Sequence, residues 1–332
     1  MSLKPFDQLT RAGQVGRIRQ LALAALQDYP LPEPHLSLLK HAANTTFLLE
    51  TGDNQRYLLR VTRAGAATLA DLRSELLWLQ ALRRDTALST PDPILTTVGS
   101  LLTTATAAGM PAPRHVAVFR WQPGKFYRAE QLTLRHLVLA GEFLATLHNY
   151  PFNPLPQGFT RPTYHADGLL RNPTHLDVTA ARANLPADAN ALIDHAIEHF
   201  TTATTALGQT PSTYGLIHAD FSEDNYLFDG DNLKAIGFDR SGWGWFLYDL
   251  AVTLSSLIHL PNYAELRAAL LAGYTRFRPL SDDHLTHLPA LIAARKAHRI
   301  LWLSANRTDP AVARQLPTAI DSRLADIERL LA

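Results

Sequence analysis

The chain has 332 residues, of which 46% are hydrophobic and 18% are charged, a composition that excludes an intrinsically disordered protein. Lysine and arginine total 31 against 30 aspartate and glutamate residues, and the resulting net charge of +1 excludes a nucleic-acid binder held by bulk charge. The absence of cysteine excludes disulfides, thiolate metal sites and a cysteine nucleophile.

The length is comfortable for two lobes. No run of about 18 apolar residues without charge occurs, so the sequence predicts no membrane span. Residues 1–20 mix charges with few apolar side chains, which is not the pattern of a signal peptide. We therefore expect a cytoplasmic protein that binds neither membranes nor nucleic acid.

The first 120 residues predict strands, one main helix and further strands. Residues 7–29 predict one or two short helices that end at Pro30. Apolar runs bounded by turn residues then predict a β-meander. These runs are His35–Lys40, Thr46–Glu50 and Arg56–Thr62. An amphipathic helix follows, because leucines recur at steps of three and four from Leu69 to Leu79. Two more strands are predicted at Thr96–Thr104 and Arg114–Trp121.

Beyond Pro123 and Gly124 the pattern is mainly helical, with short strands predicted between Ile217 and Phe238. Within this interruption, two apolar runs flank a tight turn at Asp229–Asn232 and predict a hairpin. The predicted organisation is an α+β protein of two lobes. The N-terminal lobe covers residues 1–120, including the helices at 7–29, and the C-terminal lobe covers residues 121–332.

A compact motif, His218-x-Asp220-x-x-x-x-Asn225, suits phosphoryl transfer. The aspartate can accept or orient the proton of an attacking hydroxyl, and the asparagine can offer a neutral oxygen to Mg²⁺. The hairpin is expected to fold residues 237–239 back beside Asn225, where a second metal ligand belongs. Because side chains alternate along a strand, Gly237 and Asp239 are expected to share a face.

This segment resembles the catalytic segment of the aminoglycoside phosphotransferase and choline kinase-like superfamily. The motifs that carry the resemblance are His218-Ala219-Asp220, Asn225, Ile236-Gly237-Phe238-Asp239 and Tyr248-Asp249-Leu250-Ala251. The length and the N-terminal helices most resemble the branch of homoserine kinase type II and the RdoA stress-response kinases. The resemblance implies a bilobal protein-kinase-like fold, ATP and Mg²⁺ as cofactors, and a catalytic loop containing Asp220 as base with His218 and Asn225.

The resemblance extends into the N-terminal lobe. Arg60 matches the basic residue that holds the nucleotide phosphates, and Glu75 matches the helix residue that pairs with it. Residues 119–124 resemble the connector that meets the adenine, and residues 41–46 stand where a phosphate-covering loop belongs, although they include no glycine. The implied cofactor-binding residues are Arg60, Glu75, Asn44, Phe119, Arg120 and Trp121.

Gly237 departs from the family pattern, since it stands where the principal Mg²⁺-binding aspartate is expected. Glycine offers magnesium no side-chain oxygen, and Asp239 is therefore expected to hold the metal with Asn225. The departure leaves two functions open. One is a kinase for the hydroxyl of a small molecule, with a protein Ser/Thr hydroxyl of the RdoA type as the alternative acceptor. The other is a nucleotide-binding pseudokinase or regulatory protein.

Several of these residues also have a structural interpretation. His218 and Asp249 are expected to brace the catalytic loop rather than carry protons, and Asp220 could cap a local turn. Arg60 and Glu75 could form an ordinary surface pair. The basic run Arg295-Lys296-x-His298-Arg299 is typical either of a solvated helix face or of a wall of the acceptor pocket, and the residues alone favour neither.

Overall fold

The structure, a computed structural model, describes residues 4–42, 44–171, 173, 176–314 and 316–332. The chain forms two compact units. The first comprises Met1–Pro123 and Pro154–Thr160, and the second comprises Gly124–Asn153 and Arg161–Ala332. The sequence predicted a lobe boundary between residues 120 and 121, and the assignment of nucleotide binding to one lobe and catalysis to the other stays a prediction.

The first unit is built on a five-stranded antiparallel sheet. Its helices and strands are α1 (Arg11–Ala25), β1 (His35–His41), β2 (Asn44–Glu50), β3 (Arg56–Thr62), α2 (Leu69–Asp85), β4 (Thr103–Ala105) and β5 (Arg114–Arg120). The strands pair in the order β1-β2-β3-β5-β4, and the core holds the fully buried Leu21, Phe47 and Leu59. Arg60 pairs with Thr46 on one side and Ala117 on the other, so it lies in the central strand.

Helix α2 forms where the leucine spacing predicts it. Thr68 caps its first turn, because the Thr68 hydroxyl accepts from the backbone N–H of Asp71 while the Asp71 carboxylate accepts from the N–H of Thr68. Leu72, Leu76 and Leu79 are all buried, as one face of a 3.6-residue repeat requires. The buried face also carries Glu75 into the interior.

The strand predicted at Thr96–Thr104 is wrong over most of its length. Within the predicted span, only Thr103 and Thr104 lie in a strand. They belong to β4, Thr103–Ala105, which pairs with β5. Residues 96–100 form a turn instead, in which the N–H of Thr96 donates to the carbonyl of Ser100 and Gly99 adopts a left-handed φ of 78°. A glycine in that conformation breaks the extended backbone that the threonine-rich composition favoured.

The second unit is mainly helical and carries two small two-stranded sheets. Its elements are α3 (Leu134–Asn149), α4 (Val178–Ala183), α5 (Ala187–Leu207), β6 (Tyr214–Ile217), β7 (Tyr226–Asp229), β8 (Asn232–Ala235), β9 (Gly242–Trp245), α6 (Phe246–Ser255), α7 (Tyr263–Thr275), α8 (Asp282–Leu285), α9 (Leu288–Ala305), α10 (Pro310–Ala313) and α11 (Leu316–Leu331). Helices α3 and α7 pack with their backbones close, since a Cβ on Gly141 would overlap the carbonyl oxygen of Leu270. No helix in the described ranges is both long and apolar enough to cross a bilayer.

The hairpin that follows the His218–Asn225 loop is confirmed. Strands β7 and β8 pair antiparallel with Asp229 opposite Asn232, and Gly230 takes a left-handed φ of 58° in the turn. The prediction that Gly237 and Asp239 share a strand face is wrong, because β8 ends at Ala235. Gly237 has a left-handed φ of 76°, and Phe238–Arg240 form a single 3₁₀ turn.

Candidate active site

One buried carboxylate, that of Asp249, stabilises the start of the loop from His218 to Asn225. Asp249, in the first turn of α6, accepts hydrogen bonds from the backbone N–H of His218 at 2.8 Å and of Ala219 at 2.7 Å. Ala219 adopts a left-handed φ of 63°, a conformation that costs a non-glycine residue about 1–2 kcal/mol. The two bonds from Asp249 hold the chain in that turn and set the direction of the next residue, Asp220.

His218 fixes the same turn from within. Its Nε2 donates to the carbonyl of Ile236 at 2.8 Å, and its Nδ1 accepts from the backbone N–H of Asp220 at 3.3 Å. The residue is fully buried. Since one ring nitrogen must donate and the other must accept, the contacts select the neutral tautomer with its proton on Nε2.

A second histidine supports the brace. His148 on α3 places Nε2 3.1 Å from the Asp249 carboxylate and Nδ1 2.9 Å from the Tyr274 hydroxyl. Burial lowers the pKa of His148, although its bond to Asp249 opposes that shift. His148 is therefore neutral at pH 7, with Nε2 as the donor to Asp249 and Nδ1 as the acceptor from Tyr274.

Asp220 and Asn225 lie in direct contact. The Asn225 side-chain amide donates to the Asp220 carboxylate at 2.9 Å and to the Asp220 carbonyl at 2.8 Å. The other side of Asn225, its Oδ1, faces Gly237, because a Cβ added at Gly237 would overlap that oxygen. The predicted return of residue 237 to Asn225 is therefore confirmed.

The Asp220 carboxylate also forms an ion pair with Arg295 of α9, through Oδ1 and Nη2. The Asp220 side chain is 27% exposed and that of Arg295 is 8% exposed. Burial alone would raise the pKa of Asp220, but the guanidinium groups of Arg295, Arg240 and Arg299 outweigh it and hold that pKa below its ordinary value. Asp220 is thus a carboxylate at neutral pH.

The residues around Asn225 offer a metal few ligands. The amide oxygen of Asn225 lies beside Gly237, and the half-buried Asp239 follows two residues later in the 3₁₀ turn. No group of three His, Asp or Glu residues that could hold a metal occurs in the described part of the chain. An amide oxygen and a carboxylate are donor types that suit Mg²⁺, which typically takes one or two protein ligands and completes its shell with substrate phosphates and water.

The predicted nucleotide residues of the first unit centre on one buried pair. Arg60 donates to the two carboxylate oxygens of Glu75 at 2.7 and 2.9 Å. Both residues are buried, so the surface-pair interpretation is wrong. The Arg60 guanidinium also lies 5.2 Å from the centre of the Phe119 ring, a cation–π distance.

The remaining nucleotide residues divide between the two sheet faces. Strand register places Asn44 and Phe119 on the face of Arg60, whereas Arg120 lies on the opposite face. Asn44 Oδ1 accepts from the backbone N–H of Arg63 at 3.4 Å, and Arg120 is exposed with its Nε 3.3 Å from Asp92. Trp121 follows β5 and is half-buried. Arg120 therefore does not lie with Arg60, Asn44 and Phe119 on one face of the sheet.

The sequence model of the Phosphotransferase enzyme family matches residues 35–291 of this chain. The chain belongs to this phosphotransferase family. A homoserine kinase of Caulobacter vibrioides is 31% identical over 284 residues, covering 81% of each chain. An uncharacterized protein of Deinococcus radiodurans is 34% identical over 287 residues, covering 82% of this chain and 79% of the relative.

Among solved structures, a microcompartment-associated aminopropanol kinase superposes with a TM-score of 0.82 at 28% identity. The match covers 95% of the phosphotransferase chain and 97% of the other chain. The α+β, protein-kinase-like fold and the superfamily inferred from the sequence are both confirmed.

Sequence reasoning missed two parts of the candidate site. The role of His148 has no signal in the sequence, because its contact with Asp249 joins residues far apart in the chain. The contact of Arg295 with Asp220 was also missed, because the basic run on α9 does not by itself favour a solvated face or a pocket wall. The available signal in the sequence was the basic run itself, which stands in an otherwise apolar stretch after the catalytic segment.

Proposed function

We propose that this phosphotransferase moves the γ-phosphate of ATP to a hydroxyl group of a small molecule. Family membership supports phosphoryl transfer, and the relatives named for homoserine and aminopropanol support a small acceptor. The observation that carries the proposal is the contact of Asp220 with Asn225 on a loop braced by a buried carboxylate. Such a loop fixes a carboxylate and an amide for phosphoryl transfer with little further chemistry required of the protein.

Asp220 is the proposed base. It receives the proton of the acceptor hydroxyl while the hydroxyl oxygen bonds to the γ-phosphorus and the bond from phosphorus to the bridging oxygen of ADP breaks. Its lowered pKa makes it a weak base, which suffices when bond breaking to the leaving group runs ahead of proton removal. Asn225 and Arg295 hold its two oxygens, and His218 positions its backbone.

Arg60 is the proposed contact for the nucleotide phosphates, and Glu75 positions it. Phe119 and Trp121 are the proposed contacts for the adenine. Arg120 lies exposed on the opposite face of the sheet, which argues against a direct role for that residue. Asn225 and Asp239 would hold Mg²⁺, which neutralises charge on the phosphates. Arg60 donates through Nη1 and Nη2 to the two carboxylate oxygens of Glu75, which fixes the orientation of the guanidinium.

A nucleotide-binding pseudokinase is the second candidate, favoured by Gly237. The left-handed backbone there and the overlap of any Cβ with Asn225 make glycine fit the present geometry better than the expected aspartate does. In this alternative the chain binds ATP without transferring its phosphate.

A coupled assay of ADP release separates the candidates. The protein is incubated with ATP and Mg²⁺ over a panel of sugars, amino alcohols, hydroxy acids and one generic protein substrate, beside the Asp220→Asn variant. Small-molecule transfer predicts release that needs both an acceptor and Asp220. Binding of AMP-PNP in a thermal-shift assay, with no ADP formed over any acceptor, would favour the pseudokinase, and release over the protein substrate alone would favour a Ser/Thr kinase.

A further inference from the structure

Arginines crowd the proposed base from more than one element. Arg295 on α9 makes the ion pair with Asp220, and Arg299 lies one helical turn further along the same helix. Arg240 ends the 3₁₀ turn that follows Gly237. Arg295 contacts the Asp220 carboxylate directly, and the charges of Arg240 and Arg299 also lower the pKa of that carboxyl group.

Arg299 is the least compensated of them. Within the described ranges its guanidinium makes neither a hydrogen bond nor an ion pair, and it lies 4.7 Å from the centre of the Trp302 ring. Burial and repulsion from Arg295 lower the pKa of Arg299 to about 10, and the carboxylates of Asp220 and Asp224 do not offset them. The group stays charged at neutral pH in a field that is already positive.

Another cation on helix α9, Lys296, is fully paired and serves as a comparison for Arg299. Lys296, next to Arg295 in sequence, is buried and places its ammonium 2.6 Å from the carboxylate of Asp326. That carboxylate also accepts from Arg329, so the pairing is complete. Arg299 has no such carboxylate on α11, where the facing Arg323 adds further positive charge.

Arg240, at the end of the 3₁₀ turn after Gly237, repeats the pattern. In the part of the chain that is described, its guanidinium makes no ion pair, although the side chain is only partly exposed. Two partly enclosed arginines without carboxylate partners, both acting on the same aspartate, are costly to retain unless an anion joins them.

We propose that the acceptor carries its own anionic group, a carboxylate or a phosphate, and that Arg299 and Arg240 bind it beside Asp220. The inference rests on the proposed function, because it specifies the molecule whose hydroxyl proton Asp220 receives. Guanidinium groups match carboxylate and phosphate oxygens in geometry as well as charge. The same field repels cationic amino alcohols and polycationic drugs. The substrate class is therefore the small hydroxy acids and phosphorylated alcohols.

One other anion has the same chemistry, namely the terminal phosphate of the nucleotide. The two sources differ in what Arg299 controls. An acceptor site predicts that loss of Arg299 changes the preference among acceptors, whereas a nucleotide site predicts weaker binding of AMP-PNP and an unchanged acceptor preference.

The experiment uses probes that share one hydroxyl and differ in charge. They are 4-hydroxybutyrate, its neutral amide and the cationic 4-amino-1-butanol, with L-serine and L-serinamide as a second pair. Binding is measured by calorimetry with AMP-PNP and Mg²⁺ present, and ADP release is measured with ATP. The variants are Arg299→Gln and Arg240→Gln, and the matched control is Arg276→Gln, which removes an exposed arginine paired with Glu142.

We expect the carboxylate-bearing probe of each set, 4-hydroxybutyrate or L-serine, to bind at least about tenfold more tightly than the corresponding amide, as a charged hydrogen-bonded pair provides. Arg299→Gln and Arg240→Gln should each remove most of that preference, and Arg276→Gln should keep it. Equal or tighter binding of the neutral or cationic probes would overturn the inference, as would a loss confined to AMP-PNP binding.

The two proposals fail separately. ADP release over cationic or neutral acceptors alone would overturn the anionic acceptor and leave the phosphotransferase standing. Binding of 4-hydroxybutyrate that depends on Arg299, with no ADP released over any acceptor, would support the anion site and overturn the transfer.

Discussion

The guanidinium of Arg60 meets the carboxylate of Glu75 through two hydrogen bonds, at 2.7 and 2.9 Å, with both side chains buried. Breaking a buried pair leaves one charge without compensation, which typically costs about 3–5 kcal/mol. We therefore expect Glu75→Gln to lower the free energy of unfolding by about that amount in urea denaturation.

Glu50→Gln is the matched control for this pair. Glu50 lies 3.3 Å from Arg56 on the same sheet, but the two side chains are 43% and 59% exposed. An exposed pair contributes about 0–1 kcal/mol. Equal losses for the two variants would contradict the buried role assigned to Arg60 and Glu75.

Stability should fall as the pH drops below 6.5. The pKa of His148 is lowered in the folded protein by burial, so the unfolded chain binds more protons near and below its ordinary pKa of 6.5. Unfolding then becomes easier by up to about 1.4 kcal/mol per pH unit for each such group. Urea denaturation at pH 7.5 and 5.5 should show the loss.

His115 and His136, whose pKa values are lowered by burial, shift stability in the same direction. His148→Gln should therefore reduce the pH dependence without abolishing it. A His148 variant with the full wild-type slope would contradict the enclosed neutral state of this histidine.

Ala219→Gly should stabilise the protein by up to about 1 kcal/mol. The left-handed backbone at residue 219 strains alanine, and glycine relieves that strain at some cost in unfolded-chain entropy. The control Ala268→Gly, at an exposed position in the middle of α7, should instead destabilise by about 0.5–1 kcal/mol. Thermal or urea unfolding measures both, and destabilisation by Ala219→Gly would count against the braced turn.

Gly237→Asp should destabilise the protein and displace Asn225. The substitution adds the left-handed strain, about 1–2 kcal/mol, and brings a Cβ onto the Asn225 amide oxygen. Gly230→Asp is the control, because Gly230 is also left-handed but has open space around its Cα. The additional loss in the free energy of unfolding for Gly237→Asp, relative to Gly230→Asp, measures the cost of the overlap with Asn225. ADP release restored only by Gly237→Asp would mark the natural chain as a pseudokinase.

The sequence predicted the local parts of this structure well. The leucine spacing of α2, the turn at Asp229–Asn232 and the return of residue 237 to Asn225 all depend on neighbours within one short segment. The family motifs predicted Arg60 with Glu75, which the structure brings together.

The remaining features depend on packing between distant segments. Arg295 reaches Asp220 across 75 residues because α9 packs on α6, and His148 reaches Asp249 across 101. Neither contact has a periodic signal in the sequence. The end of β8 at Ala235 is set by the left-handed Gly237, a conformation that the apolar run up to Phe238 concealed.

The most direct test of the account is ³¹P nuclear magnetic resonance of ATP, Mg²⁺ and the hydroxy-acid panel with the wild-type protein and Asp220→Asn. We expect ADP and a new phosphate ester with the wild type, and a rate lower by at least about a hundredfold with the variant. Transfer at an unchanged rate by Asp220→Asn, or no transfer by a wild-type protein that binds AMP-PNP, would contradict the account.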